Sequence, residues 1–113
     1  MKETIDIIIA DDHRIFLDGL RSLLDREPGL QGRGLAKNGR EVLSLLTEEQ
    51  PDILLLDMNM PELDGLETTK LVRERHPEVR IIMLTMHDRA DIITSLIEAG
   101  ASGYLLKNTS REE

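Results

Sequence analysis

The chain has 113 residues, of which 40% are hydrophobic and 32% charged, with one tyrosine, one phenylalanine and no cysteine. A globular chain of this length hides roughly two thirds of its unfolded surface, enough for one core but not for a second domain. The lack of cysteine excludes disulfides, thiol catalysis and thiolate metal sites, and a net charge of −8, from 14 basic and 22 acidic residues, disfavours direct nucleic-acid binding while suiting a hard cation.

Ile5–Ala10 is β-branched and almost wholly apolar, the pattern of a strand buried on both faces. Phe16, Leu17, Leu20, Leu23 and Leu24 follow at helical spacing until Pro28-Gly29 stops that helix. Leu30–Ala36 reads as a weaker strand, diluted by Gly32 and Gly34, and is placed at an edge. Asn38 with Glu41 forms a capping-box pattern opening a helix with Val42, Leu45 and Leu46, which Pro51 ends. Ile53-Leu54-Leu55-Leu56 is a second fully apolar strand. Asp64 with Glu67 repeats the cap, and a helix runs from there towards His76-Pro77. Val79–Leu84 is a third buried strand. Asp88 is expected to cap a helix carrying Ile92, Ile93, Leu96 and Ile97, with Gly100 as its stop. Ser102–Leu106 closes the series as a short strand.

Strands alternating with helices imply an α/β domain, a parallel sheet with helices on both faces and right-handed crossovers. Thr109-Ser110 is able to cap one more helix that the 113 residues do not include, so part of one sheet face is expected to lack cover and the sequence to be a fragment. No apolar run is long enough to span a bilayer, and Met1–Thr4 leads straight into a strand, so neither a membrane anchor nor a signal peptide is expected and the cytoplasm is the expected compartment.

In open α/β sheets, function gathers beyond the carboxyl ends of the strands, where the strand order reverses. After the first strand come Asp11, Asp12 and His13; after the third come Asp57, Met58 and Asn59; after the fourth come Thr85, Met86 and His87; after the fifth comes Lys107. In the doubly wound order 2-1-3-4-5 the first and third strands are neighbours, so three carboxylates converge opposite a hydroxyl and an ammonium. Close carboxylates repel unless a cation joins them. Oxygen donors suit Mg²⁺, and a hydroxyl with an ammonium suits a phosphoryl group. An aspartate beside a metal and a lysine has the means to attack phosphorus and hold an acyl phosphate. Taken singly, Asp11 or Asp12 reads as a helix cap, Thr85 as a turn residue and Lys107 as a solvated charge. Asp57, directly after four buried apolar residues, resists such a reading.

Ala10-Asp11-Asp12-His13, Leu56-Asp57-Met58-Asn59-Met60-Pro61 with Asp64-Gly65, Leu84-Thr85 and Ala99–Lys107 resemble the receiver domain of two-component response regulators over the whole chain. The texture of Asp-Asp-His, Gly19-Leu20-Arg21, Pro28-Gly29 and Gly-Tyr-Leu-Leu-Lys is similar to the NarL/FixJ-like subfamily, whose receivers precede a LuxR-type helix-turn-helix DNA-binding domain. The resemblance implies a flavodoxin-like (βα)5 fold over residues 1–113, its last helix and its output domain lying outside the chain. It implies that Asp57 accepts a phosphoryl group from a sensor histidine kinase. By the same resemblance Asp12 and Asp57 ligate Mg²⁺ directly, Asp11 acts through water, and Asn59 offers its backbone carbonyl. Thr85 and Lys107 then bind the phosphoryl oxygens, and Tyr104 turns inward as Thr85 moves. Homodimerisation on phosphorylation and DNA contact through the output domain alone are further implications. Two positions depart or stand apart. Asn108 follows Lys107 where many such domains carry a proline after a cis peptide, and His87, two residues after Thr85, reads as a solvated residue rather than a modulator of acyl-phosphate hydrolysis.

Three rivals make other demands. A haloacid-dehalogenase-type phosphatase needs a second acid where Asn59 stands. A flavodoxin-type cofactor domain needs a phosphate-cradling loop where Asp11-Asp12 stand. A pseudo-receiver would lack an acid that this chain has.

Overall fold

In the computed structural model, residues 4–58, 65–85 and 89–106 are described. Nine elements alternate in chain order: β1 (Ile5–Ala10), α1 (Arg14–Asp25), β2 (Leu30–Ala36), α2 (Gly39–Glu48), β3 (Ile53–Asp57), α3 (Gly65–Arg75), β4 (Arg80–Thr85), α4 (Ala90–Ala99) and β5 (Gly103–Leu106). The strands form one parallel sheet in the order β2-β1-β3-β4-β5, the doubly wound arrangement expected. The apolar runs of β1, β3 and β4 occupy its centre, where both faces are covered. The glycine-diluted β2 lies at an edge.

The sheet separates two cores. On one face Ile8, Leu54, Leu56, Ile81 and Met83 meet Val42 and Leu46 of α2, Val72 of α3 and Leu96 of α4. On the other, Ile7 and Ile9 meet Leu17 and Leu24 of α1. Among the described helices α1 covers this second face by itself. Leu105, in register with Leu84, remains 54% exposed. That uneven cover limits what each helix buries. Leu17, Leu20 and Leu24 form the stripe of α1 against the sheet, while Leu23, one of the apolar residues at helical spacing, points outward and is exposed. Its position on the helix, about 100° from Leu24, puts it beyond the reach of a single-layer contact.

The boundaries follow local chemistry. The Oδ1 of Asn38 accepts the backbone N–H of Glu41 at 2.9 Å, as the capping pattern requires. The returning carboxylate of Glu41 accepts the N–H of Lys37 at 2.8 Å, one residue earlier than in the usual box. Gly100 stops α4 at φ +120°, a conformation that a side chain strains to adopt, and its N–H donates to the carbonyl of Ile97. Three expectations shift. Strand β4 begins at Arg80, because Val79 is buried in a turn closed by its N–H to the carbonyl of His76. Strand β5 begins at Gly103 rather than Ser102. The N-cap position of α4 belongs to Arg89 rather than Asp88, which lies outside the described residues, as does the cap expected at Asp64. A bulge in β2 sets Gly32 opposite Ile7 and Gly34 opposite Ile8. The extra residue, Arg33, reaches Glu49 at 2.6 Å and Asp6 at 3.7 Å.

Candidate functional site

The parallel register carries β1 and β3 to the same end of the sheet side by side, with Ala10 opposite Leu56. Asp11 and Asp57 are therefore held at adjacent strand ends. Both are buried. Asp12 and His13 follow on the loop into α1, with side chains 37% and 67% exposed. The four residues offer ligand atoms that all lie within 4.8 Å of one another. Asp11 also orders its own loop: its Oδ1 accepts the backbone N–H of His13 at 2.8 Å. The His13 imidazole is turned towards both acids, with Nδ1 3.0 Å from Asp11 Oδ1 and 3.4 Å from Asp12 Oδ1.

Three carboxylates so close, two of them removed from water, repel one another, and a divalent cation relieves that repulsion. The donor set fits such an ion: hard carboxylate oxygens of Asp11, Asp12 and Asp57, on an exposed rim that admits water. Beside the cluster a cavity of about 170 Å³ opens between the β1–α1 loop and the start of α2, lined by Asp12, Arg14, Lys37 and Glu41 among others. It is small for a cofactor, whose pockets run from about 300 to 1,000 Å³.

Thr85, the last residue of β4, is buried one strand away. Its hydroxyl donates to Met58 Sδ at 3.7 Å. Met58 is pinned in turn, because its N–H donates to the carbonyl of Leu84 at 3.0 Å and its carbonyl accepts the N–H of Gly65 at 2.9 Å. Tyr104 stands on β5 with its side chain 41% exposed, beside Met83 in register and outside the acid cluster. Of the residues expected at the site, the fold thus brings Asp11, Asp12 and Asp57 together and sets Thr85 on the neighbouring strand. Asn59, Lys107, His87 and the Lys107–Asn108 peptide lie outside the described residues.

Sequence reasoning assigned no role to two further residues. His13 was read only as a neighbour of the acid pair, although its place directly after that pair was the available signal. Gly65 is the other. A Cβ there would press on the carbonyl oxygen of Asp57 and lie 2.7 Å from Cα of Met58, so only glycine lets α3 start this close to the end of β3.

This arrangement has relatives. The family described as "Response regulator receiver domain" matches residues 7–113. The transcriptional regulatory protein LnrK of Bacillus subtilis is 43% identical over 108 residues, covering 96% of this chain and 49% of that protein. The signal receiver domain of the putative response regulator NarL from Mycobacterium tuberculosis superposes with a TM-score of 0.90 at 31% identity, covering 99% of this chain and 90% of that one. A LuxR-family two-component response regulator from Aurantimonas gives 0.89 at 35% identity, covering 97% of this chain and 79% of that one. The chain spans about half the length of the curated relatives it matches.

Proposed function

This chain belongs to the response regulator receiver domain family of two-component signalling, and on that premise we propose that Asp57 is its phosphoacceptor, taking a phosphoryl group from the phosphohistidine of a sensor kinase. The observation that supports this most directly is the buried Asp57 carboxylate at the end of β3, with Asp11 and Asp12 grouped around it. An Asp57 oxygen attacks phosphorus, the bond from phosphorus to the donor nitrogen breaks, and its electron pair leaves with the imidazole. Asp12 and Asp57 would hold Mg²⁺ directly and Asp11 through water, with the backbone carbonyl of Asn59 as a further donor. When bound, the ion neutralises the charge that these acids and the phosphoryl oxygens bring together. Lys107 and Thr85 bind the phosphoryl oxygens. The catalysis of the domain itself extends at most to self-phosphorylation from small phosphodonors and loss of the phosphate from Asp57 to water.

The switch follows from a difference in contacts. In this structure the Thr85 hydroxyl faces a thioether sulfur at 3.7 Å, a weak acceptor. A phosphoryl oxygen on Asp57 is a far stronger one. Thr85 therefore leaves Met58 when Asp57 is phosphorylated, and Tyr104, exposed on β5, turns into the space near β4. That change remodels the α4–β5 surface and promotes pairing of two copies. Only such a difference in contacts biases one state over the other.

The relatives' description as transcriptional regulators, and their roughly twofold length, support an output domain beyond these residues that contacts DNA. The whole protein works in the cytoplasm. No helix among the described residues is long and apolar enough to cross a membrane.

Intact-mass spectrometry after incubation with acetyl phosphate and Mg²⁺ tests the central claim. A single phosphoryl adduct that needs Mg²⁺ and is lost in Asp57→Ala is expected. A folded protein that takes no adduct is a pseudo-receiver, and the proposal fails.

A further inference from the structure

The acid cluster contains one donor that a magnesium site does not require. We propose that His13 supplies an imidazole nitrogen to it and makes it selective for late first-row transition-metal dications, Co²⁺ to Zn²⁺, over Mg²⁺. This rests on the reading of Asp11, Asp12 and Asp57 as a divalent-cation site.

The geometry supports the donation. An ion at about 2.0–2.2 Å from each ligand holds those ligands roughly 3 to 4.4 Å apart. The four side chains already place donor atoms within 4.8 Å of one another, with the His13 ring 3.0 Å from one carboxylate and 3.4 Å from a second. Asp11 and Asp57 are fixed by burial at strand ends, whereas Asp12 and His13 ride on the loop. The small closure that a shared ion demands therefore falls on the part of the site free to move. Charge alone does not distinguish one dication from another. Donor softness does: imidazole suits zinc, nickel and cobalt, while magnesium prefers oxygen and keeps its water. Removing the ring should leave magnesium nearly untouched and weaken the others.

His13 is also a clean position to change. It occupies the N-cap of α1 but makes no side-chain capping bond, and its side chain is mostly exposed. His13→Ala should therefore keep the fold. Isothermal titration of the protein with MgCl2 and separately with NiCl2 reads the proposal without any phosphodonor. In His13→Ala the Ni²⁺ affinity should fall by roughly tenfold or more, while that for Mg²⁺ changes by less than about twofold. His76→Ala controls for adventitious binding by an exposed imidazole, since His76 lies at the opposite end of the sheet, bonded to Gln50; it should keep the wild-type ratio. An unchanged Ni²⁺-to-Mg²⁺ ratio in His13→Ala, or an equal loss in His76→Ala, overturns the role given to His13. Mg²⁺ binding that survives in Asp12→Ala overturns instead the reading of the site beneath it.

Discussion

The start of α3 against the end of β3 gives the sharpest test of how this fold holds its acids. In Gly65→Ala the added Cβ meets three backbone atoms, the carbonyl oxygen of Asp57, Cα of Met58 at 2.7 Å and the carbonyl oxygen of Met58 at 3.0 Å, against an ordinary carbon contact of about 3.5 Å. Backbone does not rotate aside as a side chain does, so α3 or the strand end must shift by most of an ångström. Overpacking of this kind costs about 1–3 kcal/mol. The helix-propensity gain of alanine, at most about 1 kcal/mol, offsets part of that. A net loss of about 1–2 kcal/mol lowers Tm by roughly 4–8 °C for a domain of this size. The shift also displaces Asp57, and misplacement on this scale slows a positioned reaction by up to about a hundredfold. Gly19 supplies the control. It lies within α1 with nothing within 4 Å of a Cβ, so Gly19→Ala should stabilise by about 0.5–1 kcal/mol. Thermal unfolding of both variants, with the rate of acetyl-phosphate labelling, decides the matter. A Gly65→Ala protein as stable as Gly19→Ala and labelled at the wild-type rate would refute the reasoning.

Three further outcomes are expected. Asn38→Ala removes the acceptor for the Glu41 N–H and should cost about 1 kcal/mol in denaturant unfolding, without changing labelling at Asp57. Mg²⁺ at a hundred times its Kd should stabilise the wild type by about 2.7 kcal/mol, seen as a higher Tm, and Asp12→Ala should abolish the gain; a gain that persists places the ion elsewhere. Thr85→Ala should still take the phosphoryl adduct but lose the dimerisation it triggers, measured by light scattering after size exclusion, and unaltered dimerisation would count against the switch.

The sequence by itself determined the alternation of elements, their approximate ends and the roster of polar residues at the strand termini. These follow from local causes. The apolar runs Ile7–Ala10 and Ile53–Leu56 suit strands covered on both faces. Asn38 caps because its own oxygen reaches the N–H three residues on, and Gly100 stops a helix because its own φ is positive. An aspartate directly after a buried strand announced itself by its cost. The tertiary structure alone decided the rest, because that rest depends on distances between segments far apart in the chain. Periodicity places Leu17, Leu20, Leu23 and Leu24 on one helix but does not tell which of them meet a sheet face that α1 covers alone among the described helices, and Leu23 is left exposed. Nor does it reveal that β3 and α3 approach closely enough to demand glycine at 65, or that a methionine sulfur lies under the Thr85 hydroxyl. The meeting of Asp57 with the Asp11–His13 loop was fixed in the same way, by the register of β1 on β3, which brings ligand atoms of all four residues within 4.8 Å, whereas the contacts of the imidazole with Asp11 and Asp12 are local to the loop.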